Sequence, residues 1–590
     1  MQRKEKLLPA FVWGTGICLN FLLFNIIWCI YTTFTPFSHI ELYLSTFLST
    51  MVLLLPYLLK RWWKLELVLM IMLNLWFITN LMYYRTYFTA IPPTSYFLAG
   101  NLADFMQSVY DSFRVYDLLF PLITVLTLIC FQRSRKKELP VVSSRSIARY
   151  FGIMTLLAVA LVADNKMKGG FVKSYSQLKL SAHLYSSGVP MYSLFGHLYY
   201  ELSQNKSEYT DEVKNEIQTW LDNRPAMKPL ALTEGQKRKN CILIFAESLE
   251  SWVIGLNYQG HEITPYLNKL LKDSTTLYAP KVLTQVKGGR SIDAQLMICA
   301  GMLPLKTGTY SVDYPDNLYY SLQKAMKEQN NSRNYLLTVD KIRTWNQGVI
   351  ANAFGVDTIL SYNDFELREA FGNRKRAGDC SLMEQAVEKM QNKEIWKDGE
   401  NVYMQLVTYS GHAPFLLPES LRSYSLTGDV PTMMEDYMVT ATYTDKSFEI
   451  LIEYLKTRPD FDDTMIVITG DHEGLASHRS SLCSSKAGKG VISEKQYTPL
   501  IIINSPVGMH YDKVMGQIDI YPTLINLLQL DNYRWTGMGQ SILDDAKLPV
   551  AVGSVMNVEQ EVADETTVER LKKAHDISDK MLKFDYFSHQ

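Results

Sequence analysis

Between Lys6 and Glu41 the chain carries no Asp, Glu, Lys or Arg, and the run includes AFVWGTGICLNFLLFNIIWCIYTT. A helix of ~20 apolar residues is enough to cross the hydrocarbon core of a bilayer. A charge-free stretch of this length therefore marks a chain that begins in a membrane. Residues 42–59 and 67–84 follow as two further stretches of 18 residues without charge. Two shorter ones, 118–132 and 150–163, would pass for buried helices of a soluble fold by length alone. The loop between them decides. Residues 131–149 hold Arg133, Arg135, Lys136, Lys137, Arg145 and Arg149, the pattern of a loop that stays in the cytoplasm. Five membrane-spanning helices are expected over residues 1–164.

With that arrangement, residues 1–9, 60–64 and 131–149 carry twelve Lys/Arg, against only Arg85 and Arg114 in the loops 34–40 and 85–116. The asymmetry predicts a multi-pass protein of the cytoplasmic (inner) membrane, with its N-terminus inside and everything beyond about Asp164 outside. The first run is too long for a signal-peptide core and no small-residue cleavage site follows it, so the anchor is expected to stay. Residues 165–237 read as a partly helical linker. Its stretch GGFVKSYSQLKLSAHLYSSGVPMYSLFGHLYYELS suits a helix at the lipid surface and equally one packed on the outer domain. Residues 238–556 read as that domain, and the charge alternation of 557–590 as a solvated terminal helix.

Charge excludes one class of partner. The 590 residues hold 59 Lys+Arg against 60 Asp+Glu, without the basic excess that nucleic acid requires. Cys18, Cys29 and Cys130 lie in apolar runs, while Cys241, Cys299, Cys380 and Cys483 are scattered with no C-x-x-C pair. Neither a zinc knuckle nor a thioredoxin-like motif is present, and the outer four read as buried thiols.

From Lys239 onward, short apolar runs rich in β-branched residues alternate with helical patterns, the signature of an α/β fold with a mainly parallel sheet. Strands are expected at CILIFAE, NYLLTVD, NVYMQLVTYSGH, TMIVITGDHEG and TPLIIIN, and helices over 264–273, 319–329, 381–392, 434–457 and 519–528. Four strands end in acids or histidines: Glu247, Asp340, His412 and the pair Asp471-His472. In open α/β sheets, sites form at the carboxyl ends of strands. Singly, an acid there caps the next helix and a lone histidine is structural. The adjacent Asp471 and His472 in a Gly-flanked turn carry more weight, since carboxylate plus imidazole is a ligand set for zinc or manganese. In QVKGGRSIDAQLMICAGMLP, two glycines lead through Arg290 into Ser291 and a helical run. A serine there has helix N–H groups beside it, and a metal would turn its hydroxyl into a nucleophile. The plain alternative is that Ser291 caps the helix.

Together these residues resemble the lipoteichoic acid synthase family of the alkaline phosphatase and sulfatase superfamily, over essentially the whole chain. FAESLESWVI and ITPYLNKL resemble the first metal-ligand strand, with Glu247 in the ligand place. GGRSIDAQ resembles the nucleophile loop. VDKIRTWNQ resembles the head-group segment through Asp340 and Trp345. TYSGHAPF matches around His412, GDHEGLASH through Asp471, His472 and His478, and GQIDIYPTLINLL the closing segment. The resemblance implies an α/β/α sandwich outside the membrane holding one divalent ion, with manganese first and magnesium or zinc as alternatives. It implies Ser291 as catalytic nucleophile, Glu247, Ser291, Asp471 and His472 as metal ligands, and Asp340, Trp345, Gln347, His412, His478 and Arg290 on the substrate. The implied reaction moves a phosphoglycerol-type head group from a membrane phospholipid to a glycan or lipid acceptor through phosphoryl-serine.

Two departures stand out. Ser291 replaces the usual threonine, a mild change that keeps the hydroxyl. Gln347 replaces an arginine directed at the lipid phosphate and has neither its charge nor its bidentate fork, which points to a different substrate preference. Other readings are a phosphoethanolamine transferase, a sulfatase and a non-catalytic membrane sensor. A sulfatase needs Cys or Ser followed by x-Pro-x-Arg, whereas Ser291 is followed by Ile292-Asp293-Ala294. A decayed sensor would not be expected to keep all four ligands.

Overall fold

The structure is a computed structural model that describes residues 8–33, 40–87, 91, 112–134, 144–167, 209–306, 308–342, 344–369 and 376–590. Most of the expected linker (168–208), Arg343 and most of the expected inter-span loops lie outside the described residues. The described residues divide into two compact units, one up to residue 167 and one from 209 onward.

The described residues of the first unit are mainly helical: α1 (Leu8–Thr33), α2 (Ile40–Leu53), α3 (Leu55–Lys60), α4 (Trp63–Tyr87), α5 (Leu119–Ser134) and α6 (Ser144–Met167). Pro56 sits in the first turn of α3, and α2 with α3 makes one apolar stretch. Among the described residues, five segments are long and apolar enough to cross a membrane: Pro9–Ile30, Tyr43–Lys60, Trp63–Arg85, Val115–Ser134 and Ile147–Asp164. Their core is aromatic, with Phe24 stacked on Phe77 at 4.6 Å and Trp13 against Phe131 at 5.1 Å. Lipid offers helices no hydrophobic incentive to associate, so small residues and interhelical hydrogen bonds carry more of the task. A Cβ at Gly16 of α1 would fall 2.2 Å from Thr127 Oγ1 of α5. Asn25 donates to Thr46 and Asn74 to Thr124, both at 2.6 Å. Arg85 and Asp117 form a buried ion pair between the ends of α4 and α5.

The second unit is built on one large sheet. Its main strands are β1 (Asn240–Ala246), β2 (Leu277–Leu283), β3 (Arg333–Thr338), β4 (Thr358–Leu360), β5 (Val402–Val407), β6 (Thr464–Gly470) and β7 (Tyr497–Ile503). They lie in the order β2-β7-β6-β1-β5-β3-β4. From β6 to β4 all pairs are parallel, whereas β7 runs antiparallel to β6 and to β2. All five expected strands form. The sequence reading did not include β2, where Pro280 interrupts the apolar run and the register shifts between Ala279 and Val282.

Every residue of β1 is buried, because helices cover both faces. Cys241, Leu243 and Phe245 join one core, with helix α7 (Ser291–Ala300), while Ile242, Ile244 and Ala246 join the other, with helix α8 (Thr432–Leu455). This is the expected α/β/α sandwich. The expected terminal helix forms as α9 (Glu565–Lys583), but it is not solvated. Ala574, Ile577, Met581 and Leu582 pack into the α7-side core. Cys241, Cys299 and Cys380 are buried free thiols and Cys483 is half-buried.

Candidate active site

Parallel pairing brings chemically distinct loops to one edge of the sheet. Ala246 lies opposite Gly470, and Phe245 opposite Val407, so β1, β6 and β5 end level with one another. Glu247 and Asp471-His472 are the next residues along. The loop after β5 approaches so closely that a Cβ on Gly411 would fall 2.0 Å from the Glu247 carbonyl oxygen. Glu247 N–H donates to Thr408 Oγ1 at 2.9 Å, fixing the strand end. Deeper in the loops, Glu250 accepts from the N–H groups of Gly474 (2.7 Å) and Leu475 (3.0 Å) and pairs with Arg479. This clamp holds the His472 loop against β1.

Ligand-type atoms of Glu247, Asp471 and His472, all buried, lie within 4.8 Å of one another. Asp471 divides its two oxygens. Oδ1 accepts from the N–H groups of Ser248 and His472, each at 2.8 Å, while Oδ2 is buried with no hydrogen-bond partner among the described residues. A carboxylate oxygen left without a donor in a protein interior is costly, and here it lies 3.7 Å from His472 Nε2. Glu247 Oε1 is 3.5 Å from the same nitrogen. Burial, and then the charge of Asp471, push the Glu247 carboxyl well above its ordinary range. Burial, followed by the nearby Arg290 guanidinium, lowers His472 and favours the neutral ring. His472 Nδ1 lies 3.0 Å from the Glu473 carbonyl oxygen, and a proton donated there leaves the Nε2 lone pair facing the two carboxylates. An orphaned oxygen, a second carboxylate that burial and repulsion destabilise, and a neutral imidazole fit a divalent cation.

Ser291 joins this cluster from the other side. It opens α7 after Arg290, whose backbone (φ 50°, ψ −116°) is an unusual one for a side-chain-bearing residue. Asp293 ties the approach loop by accepting from Lys287 N–H at 2.8 Å and Gly289 N–H at 3.0 Å. Ser291 Oγ is left to contact the cluster. It donates toward Glu247 Oε2 at 3.3 Å and lies 3.3 Å from His472 Nε2. Arg290 forms an ion pair with Glu473 and brings a guanidinium nitrogen to 3.0 Å from His472 Nδ1. Burial would raise the Glu473 carboxyl, but Arg290 overrides it and holds the group below its usual range.

Of the expected head-group residues, Asp340 and His412 are connected through Arg376 and Tyr409, and these contacts do not extend to Trp345, Gln347 or His478. Asp340 follows β3, two strands from β1, and pairs with Arg376 at 2.6 Å. Arg376 lies over Tyr409, which stacks on His412 with centroids 5.4 Å apart. Trp345 adopts positive φ (52°) and packs partly against the α7-side core. His478 closes a short 3-10 turn after the His472 loop. Gln347 is buried, with Nε2 3.5 Å from Oε1 of Gln295 on α7. The sequence reading missed Ser248, Thr408, Glu250, Arg376 and Glu473. Ser248 and Glu250 lie within FAESLESWVI, Thr408 opens TYSGHAPF and Glu473 lies within GDHEG, whereas Arg376 lies in no motif.

Residues 5–205 match the family model of the lipoteichoic acid synthase N-terminal domain, and residues 239–530 match that of the sulfatases. Together the two matches span most of the chain and make it similar to the lipoteichoic acid synthases. It is thus an enzyme among the transferases of the alkaline phosphatase and sulfatase superfamily, with a multi-pass membrane anchor. The lipoteichoic acid synthase-like protein YvgJ of Bacillus subtilis is 24% identical over 497 residues, 80% of this chain and 77% of that one. The lipoteichoic acid synthase of Staphylococcus saprophyticus is 23% identical over 480 residues, 79% and 72% of the two chains. Among solved structures, lipoteichoic acid synthase LtaP from Listeria monocytogenes aligns with TM-score 0.47 at 19% identity, covering 63% of this chain and 98% of that chain.

Proposed function

We propose that this protein is a metal-dependent transferase that moves a phosphoglycerol-type head group from a membrane phospholipid to a glycan or lipid acceptor through phosphoryl-Ser291. The observation that carries the reading is the position of Ser291 Oγ, 3.3 Å from both Glu247 Oε2 and His472 Nε2, beside an Asp471 oxygen without a donor. Glu247, Asp471, His472 and Ser291 would hold the ion, with manganese the first candidate. When bound, it supplies Lewis-acid stabilisation of the serine oxygen and of charge developing on the phosphoryl group. Ser291 Oγ gives up its proton and attacks phosphorus. A P–O bond to the serine forms, the bond to the diacylglycerol oxygen breaks, and that oxygen takes a proton from solvent. An acceptor hydroxyl then attacks the same phosphorus and loses its proton to solvent, the P–O bond to Ser291 breaks, and the released serine oxygen takes up a proton. Arg290 faces His472 and pairs with Glu473, keeping the imidazole neutral during these steps. Asp340, Trp345, Gln347, His412 and His478 are proposed to line the head-group side.

The test is intact-protein and peptide mass spectrometry after separate incubations with phosphatidylglycerol and phosphatidylethanolamine. A glycerol phosphate adduct on the Ser291 peptide, formed together with diacylglycerol, is expected. A phosphoethanolamine adduct instead would establish the alternative donor, and diacylglycerol release without any adduct would exclude the serine intermediate.

The twelve-to-two charge asymmetry supports an N-terminus in the cytoplasm and a catalytic domain (238–556) beyond the cytoplasmic membrane. Protease added to intact cells, or to spheroplasts where an outer membrane is present, is expected to cut beyond residue 209. Protection of that region, with cleavage within 131–149, would reverse the orientation.

A further inference from the structure

Arg376 belongs to none of the sequence motifs, yet it is buried to 3% exposure. Its Nε and Nη2 donate to Asp340 Oδ1 at 2.9 and 2.6 Å. The guanidinium lies 4.8 Å from the ring centre of Tyr362 and 6.0 Å from that of Tyr409, so aromatic faces hold it in place. Lys341 N–H also donates to Oδ1, at 2.8 Å. One oxygen of Asp340 thus takes three donors, while Oδ2 accepts none among the described residues. The side chain keeps 19% exposure. Gln347 cannot supply charge here. It is neutral and turned toward Gln295, which in turn accepts from Gln405 at 2.9 Å.

We propose that Arg376 is the positioning residue that sets head-group preference, acting through Asp340 to make the pocket wall select a neutral, hydroxyl-bearing head group over a cationic amine. The inference rests on the reading above that a phospholipid head group binds beside Ser291. A bare carboxylate would attract an ammonium group strongly. With Arg376 locked onto Oδ1, the pair is neutral overall and presents one acceptor oxygen, which suits a glycerol hydroxyl. An ammonium in the same place meets a guanidinium that cannot move away, and like-charge placement of this kind is an effective means of rejection.

The test uses the full chain in detergent, with wild type, Arg376→Gln, Arg376→Lys and Asp340→Asn. Two readouts are taken: stabilisation by the soluble probes glycerol phosphate and phosphoethanolamine, and diacylglycerol release from phosphatidylglycerol and phosphatidylethanolamine. Wild type is expected to prefer the glycerol compound by about tenfold or more, and Arg376→Gln to shrink that ratio by about tenfold, chiefly through KM for the amine lipid. Arg376→Lys keeps the charge and should keep most of the preference. Should Arg376→Gln fail to fold, Asp340→Asn decides. It leaves the cation uncompensated and should weaken the amine probe more than the glycerol probe. An unchanged ratio in folded Arg376→Gln, equal loss of both probes in Asp340→Asn, or an amine preference in wild type would overturn the proposal. Failure of wild type to release diacylglycerol from any phospholipid would instead count against the transferase reading, while the probe ratios would still report on Arg376.

Discussion

Ser291→Ala will leave the outer domain folded and remove turnover, with a loss on the order of 10⁴-fold or more, as is usual when a covalent nucleophile is deleted. The structure separates this outcome from a helix-capping role. Arg290 occupies the N-cap position of α7 and makes no side-chain capping bond, while Asp293 satisfies the loop N–H groups of Lys287 and Gly289. The serine hydroxyl instead lies against Glu247 and His472. Its removal from a half-buried position should therefore change unfolding free energy by no more than ~1 kcal/mol. The assay is diacylglycerol release from phospholipid, with thermal unfolding of the same preparation as the control. Ser291→Thr keeps the oxygen and is expected to retain substantial activity. Wild-type turnover by Ser291→Ala would end the nucleophile assignment, and an inactive but folded Ser291→Thr would show that the pocket excludes the methyl group.

Much of the Glu247, Asp471 and His472 cluster was legible because parallel strands impose it. Glu247 and Asp471-His472 follow runs that could only be buried strands, and neighbouring parallel strands deliver their carboxyl ends to one edge of the sheet. The five apolar segments were legible for a similar reason, since a bilayer demands length and freedom from charge whatever the packing. What was hidden depends on contacts between distant segments. Gln347 reads as a pocket residue beside VDKIRTW, but its amide meets Gln295, 52 positions earlier on another helix. The partner of Asp340 is Arg376, 36 positions later, in a stretch with no motif. The α9 helix was misjudged because its charges alternate visibly, whereas Val568, Leu571, Ile577 and Met581 form an apolar stripe on the other side. That stripe, not the charge pattern, determines where the helix packs.

Asp471→Asn should have opposite effects on stability with and without metal. Its Oδ1 accepts two backbone N–H bonds at 2.8 Å, from Ser248 and His472, and an asparagine oxygen can keep both. The amide nitrogen then takes the place of Oδ2, the oxygen that has no donor and lies beside a Glu247 carboxyl raised by burial and by the Asp471 charge. Under chelation, the substitution removes a buried carboxylate that repels its neighbour and offers Glu247 a donor. The variant should then be more stable than wild type by ~1–3 kcal/mol, the range for relieving an unsatisfied buried polar group. With a divalent cation the order reverses. Wild type gains about 2.7 kcal/mol when the free ion is at 100 times its dissociation constant, whereas an amide N–H₂ directed at the cation removes a ligand and most of that gain. Activity should fall with the lost ion. The measurement is the unfolding temperature of both proteins in chelator and across a manganese titration, with bound metal counted by elemental analysis. A variant less stable than wild type in chelator would mean that Oδ2 is satisfied by some other group, and an equal manganese-dependent gain in both proteins would remove Asp471 from the ligand set.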